Sequence, residues 1–88
     1  MAHIITYQSK LLQRNESLIG AIQSYQHWAI LSDGLFIIRQ EGVTPISIRD
    51  HLSRFCKPGD QLFVAELKRE AAWAGYAENI TTWLQSNL

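Results

Sequence analysis

The side chains able to do chemistry are few and scattered. His3, His27 and His51 offer imidazoles, but they fall in three separate stretches, and none has a second His or a Cys at metal-ligand spacing. They read as structural or surface histidines. The single cysteine, Cys56, precedes Lys57, whose charge would favour a reactive thiolate. A free cysteine is more often a small buried hydrophobe, and Cys56 reads that way. Asp50 with Glu16, Glu66 or Glu70 would supply a carboxylate pair for a metal or for acid–base work, yet no spacing selects a pair. Solvated surface carboxylates are the stronger reading. These residues assign no catalytic group, no metal site and no cofactor.

The basic residues are more suggestive in grouping than in number. Lys10 and Arg14 follow the first predicted strand, Arg49, Arg54 and Lys57 mark the second predicted helix, and Lys68 and Arg69 follow the last strand. All seven are candidate phosphate contacts. Arg49 and Arg54 are five positions apart and so do not stack on one helix face, and Asp50 and Glu70 dilute the field. With 8 Lys and Arg against 8 Asp and Glu, no global charge draws a polyanion or an anionic membrane. Among the aromatics, Trp28, Trp73, Tyr76 and Trp83 would either stack bases or pack, and packing is favoured by the area they bury. Trp28, Trp73 and Tyr76 are candidate interface residues. Trp73 is the foremost, because Ala71, Ala72, Ala74 and Gly75 around it permit close approach of another backbone.

The elements that must position these groups follow from periodicity. Residues 3–8, β-branched at Ile4, Ile5 and Thr6, predict a strand. Leu18, Ile19, Ile22 and Tyr25 behind Asn15 and Glu16 predict a capped amphipathic helix over residues 16–25. Residues 27–31 and 35–39 form a hairpin about Ser32-Asp33-Gly34. Thr44 as cap and Pro45 in the first turn open a second helix with Ile48, Leu52 and Phe55 on one face. Lys57-Pro58-Gly59-Asp60 ends it. Residues 61–67 then predict a strand buried on most of both faces, and residues 77–88 a closing helix with Ile80, Trp83, Leu84 and Leu88 at helical spacing.

The expected fold is therefore α+β, a single domain over residues 1–88. Its order is the ferredoxin-like βαββαβ, an antiparallel sheet with two helices on one face and an additional C-terminal helix. The other sheet face needs cover from that helix, from Trp28 and its neighbours, or from a second subunit. The N-terminus does not read as a secretory signal, and no stretch approaches the ~18 apolar residues of a membrane helix. One cysteine cannot form an intramolecular disulfide, which favours a reducing, cytoplasmic setting.

Several of these residues together carry a resemblance. The first strand Ile4-Ile5-Thr6-Tyr7, the Trp28 at the start of the hairpin, Ile48-Arg49-Asp50-His51-Leu52, the run from Gly59-Asp60-Gln61 to Glu66-Leu67, Ala71-Ala72-Trp73-Ala74-Gly75 and Trp83-Leu84 resemble the SinR-like family. That family is similar in fold to the small CRISPR-associated adaptation subunit and to VapD ribonucleases. The resemblance implies a ferredoxin-like fold and a homodimer. In the related nucleases an Asp directly after the Tyr that closes the first strand helps hold a divalent metal. Gln8 stands there, after Tyr7, and a neutral amide is a poor substitute for the hard anionic oxygen that Mg²⁺ demands.

Tyr7 and Gln8 therefore mark a candidate first-strand site, and the leading expectation is a non-catalytic homodimeric module that binds a protein or nucleic-acid partner. The alternatives are a metal-dependent nuclease or toxin-like ribonuclease drawing on Asp33, Asp50 or Glu66, and an immunity or antitoxin-like inhibitor.

Overall fold

The computed structural model describes residues 1–10 and 14–88, and among these it is an α+β chain with a four-stranded antiparallel sheet and three helices. Strand β1 (Ala2–Ser9) runs through the middle and extends one residue beyond the predicted stretch at each end. Asn15 caps α1 (Glu16–Ile22), its side-chain oxygen accepting from the Leu18 N–H at 3.1 Å. This helix is shorter than the periodicity predicts. The N–H groups of Ser24 and Tyr25 turn to carbonyls three residues back, on Ala21 and Ile22, and the Ser24 hydroxyl also donates to the Ala21 carbonyl. Tyr25 stays buried although it has left the helix.

Strands β2 (His27–Ser32) and β3 (Leu35–Arg39) form the expected hairpin, with an irregularity in register between Ile30 and Ser32. Gly34 turns it at φ +76°, and its carbonyl accepts from the Tyr7 N–H at 2.8 Å. A Cβ at this position would collide with the Tyr7 carbonyl oxygen, so conformation and space both demand glycine. In α2 (Pro45–Ser53), Thr44 and Ser47 make a reciprocal capping box and Pro45 occupies the first turn. The helix stops before Phe55, which the spacing places on its buried face. The Arg54 and Phe55 N–H groups instead bond carbonyls three residues back, leaving the Phe55 ring 37% exposed and edge-on to His51.

Strand β4 (Asp60–Glu66) starts and ends one residue earlier than predicted. The larger correction concerns its burial. The sheet order is β2-β3-β1-β4, which leaves β4 at an edge. Leu62 and Val64 face the helices, half-buried, while Gln61 is exposed and Phe63 is 60% exposed on the opposite face. Helix α3 (Glu78–Asn87) closes the chain.

The sheet thus has two differently filled faces. Ile5, Tyr7, Phe36 and Ile38 point toward α1 and α2 and pack with Leu18, Ile22, Ile48 and Leu52. Ala2 and Ile37 point the other way, under Leu84 of α3 and the half-buried Trp73, Tyr76, Ile80 and Trp83. Among the described residues no helix is long and apolar enough to cross a membrane.

Candidate functional site

The period-two alternation of β1 separates the two residues of the first-strand site onto opposite faces. Tyr7 is buried in the main core, where burial pushes its hydroxyl above its ordinary value and the Asp60 carboxylate adds to the effect. Gln8 points to the other face, exposed, and pairs across the sheet with the exposed Gln61 of β4. Two residues along, Thr6 pairs with Phe63 on β4 and with Leu35 on β3. The end of the second sheet face therefore presents two amides, a hydroxyl and two apolar side chains. A cleft of ≈ 940 Å³ adjoins it, lined among others by Tyr7, Gln8, Lys10, Arg14, Asp33 and Gln61.

The candidate phosphate contacts converge only in part: Lys10 and Arg14 line this cleft, and the others lie apart from it. Lys10 lies at the close of β1, where its N–H donates to the Gly59 carbonyl at 3.0 Å, so the turn carrying Lys57 is its neighbour. The Arg14 guanidinium is 2.7 Å from the Glu16 carboxylate. Arg49 and Arg54 are exposed on or just beyond α2, and Arg49 binds Asp50 at 2.8 Å. Lys68 and Arg69 follow β4 at the far end of the sheet, about 20 Å away by strand rise. The carboxylates are equally dispersed: Asp33 in the hairpin turn, Asp50 beside Arg49, and Glu66 opposite His3. Among the described residues no three His, Cys, Asp or Glu side chains are grouped to hold a metal.

Protein-family models and curated proteins give no match to the sequence.

The aromatic candidates separate as well. Trp28 is 39% exposed on β2, at the opposite edge from β4. Trp73 and Tyr76 are half-buried in the second cluster, and the Trp73 indole N–H donates to the Thr81 hydroxyl at 3.3 Å. The small residues around Trp73 are exposed, and a Cβ added at Gly75 would meet nothing within 4 Å among the described residues. Cys56 packs against the main core, and burial, followed by the Asp60 charge, raises its thiol, opposing a thiolate.

Three arrangements were not legible in the sequence. The Asn15 amide, 1% exposed, donates to the Phe55 carbonyl at 2.7 Å and to the Asp60 carboxylate at 3.0 Å while its oxygen caps α1. The Lys57 N–H, at 2.8 Å, is the main group holding Asp60 below its ordinary value. His51 Nδ1 is 2.8 Å from the Tyr25 hydroxyl, joining α2 to the end of α1. His3 is 1% exposed on the central strand, and its Nδ1 has no hydrogen-bond partner among the described residues. Only the Asn15 cap carried a local signal.

Proposed function

We propose that the chain is a non-catalytic, homodimeric interaction module of SinR-like type and ferredoxin-like fold, working in the cytoplasm and docking through the uncovered end of its second sheet face. The observation that carries this reading is Phe63: a large aromatic side chain 60% exposed on an edge strand, beside Gln8, Gln61, Thr6 and Leu35. An aromatic group with neutral amides around it suits a desolvating protein contact, where charged groups are depleted at the centre. The antiparallel order β2-β3-β1-β4, with α1 and α2 packed on one face, supports the ferredoxin-like reading. The free, partly buried Cys56 suits a reducing compartment. A protein partner is favoured over a nucleic acid because Arg49, Arg54, Lys68 and Arg69 lie away from the cleft that Lys10 and Arg14 line, and Arg14 and Arg49 are engaged by carboxylates.

Sedimentation equilibrium of the wild type and of Phe63→Asp tests this. The expected result is a dimer that Phe63→Asp converts to a folded monomer. A wild-type monomer throughout the micromolar range would overturn the reading. So would Mg²⁺-dependent cleavage of RNA or DNA that Asp33→Asn abolishes.

A further inference from the structure

The second sheet face is closed by a piece of chain built differently from the rest. After the Leu67 N–H bonds the Ala2 carbonyl at 2.9 Å, residues 68–77 form neither helix nor strand, and Lys68, Arg69 and Glu70 at their start are exposed. Of the apolar side chains that this segment and α3 lay on the sheet, only Leu84 is fully buried, while Trp73, Tyr76, Ile80, Trp83 and Leu88 are half-buried. Ala77 at the N-cap of α3 makes no side-chain bond to the helix start, whereas Asn15 and Thr44 cap the other two helices. The hydrogen bond that the Arg39 guanidinium of the sheet donates to the Ser86 carbonyl of α3 is long, 3.4 Å, and exposed. The Trp73–Thr81 bond lies within the segment and ties its two halves to each other.

We infer that residues 68–88 form a detachable cover that opens as one unit while the sheet, α1 and α2 stay folded. Few fully buried contacts and exposed ties are the marks of a cooperative unit with a low opening free energy. A helix of ten residues does not persist alone in water, so leaving the sheet melts α3. Opening bares Ala2 and Ile37, which then lie on one face with the apolar Leu35 and Phe63. The cover thereby sets how much of the second face is presented. Its use in docking rests on the proposed interaction role, but the opening itself does not, and is tested on the chain alone.

Native-state hydrogen exchange on the full chain, read residue by residue, makes the test. Amides within α3, such as those of Trp83 and Leu84, are expected to open at least roughly tenfold more often than those of Ile5, Ile38 and Leu52. Ala77→Asp supplies the missing cap, and this variant stabilises rather than threatens the fold. It is expected to slow α3 exchange about fivefold, and that of Ile5, Ile38 and Leu52 by a similar factor, because the cap is lost in global unfolding too. Ile48→Val, which weakens only the core that stays folded, is expected to speed exchange at Ile5, Ile38 and Leu52 about fivefold and leave α3 unchanged. Equal protection of α3 and the core in the wild type, or an equal speeding of both in Ile48→Val, would show that α3 opens only with global unfolding and would overturn the inference.

Discussion

On the helix-covered face of the sheet, Ile5, Ile38, Leu18, Ile22, Ile48 and Leu52 are all at 0% exposure, drawn from two strands and two capped helices. On the opposite face, Leu84, Ala2 and Ile37 are buried, several aromatics are half-covered, and Phe63 is left in solvent. Both faces come from the same alternating strands, so hydrophobicity alone does not make the difference. What differs is the anchoring. On the first face, caps and tertiary polar bonds hold the helices: Asn15 ties α1 to the turn before β4, and His51 with Tyr25 ties α2 to α1. The second face is held mainly by apolar contact, which is non-directional and leaves room for movement.

The largest effects are expected at a well-buried leucine on each face, Leu52 and Leu84. Leu52→Ala is expected to cost about 2–5 kcal/mol and to shift the whole denaturant transition without changing its slope. Leu84→Ala removes the same atoms at nearly the same burial, but its loss should appear as reduced α3 protection with a smaller shift of the core transition. Identical shifts for the two variants would erase the distinction between the faces.

Asn15→Ala comes next, at about 2–4 kcal/mol, because it removes a helix cap and strips the Phe55 carbonyl and Asp60 of a donor. Asn15→Asp keeps the cap but sets a carboxylate against Asp60. Its denaturation midpoint should therefore lie below wild type at pH 7 and approach it as the pH falls.

His3 gives a pH dependence to the helix-covered face. Burial lowers its pKa from the ordinary 6.5, outweighing the opposite pull of Glu66. The unfolded chain then binds more protons than the folded one between the lowered value and 6.5. Stability should fall as the pH drops through that window, and His3→Gln should flatten the slope measured by urea unfolding. Asp60, held low, contributes stability above the ordinary carboxylate value and loses it only at more acidic pH, as its depressed value is crossed. The smallest effect on monomer stability is expected for Phe63→Asp, within about 0.5 kcal/mol, because the side chain is already exposed.

The sequence disclosed what local chemistry decides. Gly34 in the hairpin, Asn15 and Thr44 as caps, and Pro45 in the first turn each announce the conformation they adopt. It misled where a local pattern outlasts its element: Tyr25 and Phe55 continue the helical spacing, but three-residue hydrogen bonds end both helices before them. Phe63 illustrates a different limit. Alternation within a strand says that one face is buried, but which strand lies at the edge is set by the order of all four. The Asn15–Asp60 bond and the burial of His3 depend on residues 45 and more than 30 positions away respectively, beyond any local signal. Gln8 was legible as a residue, and its pairing with Gln61 became visible only with the register of β1 and β4.

A concentration series of amide spectra tests whether the uncovered end of the second sheet face is the docking surface. The expected result is concentration-dependent shifts centred on Thr6, Gln8, Leu35, Gln61 and Phe63, with the outward residues of α2, Ile46 and Arg49, unmoved. Shifts centred on Ile46 and Arg49, or none at any concentration, would contradict it.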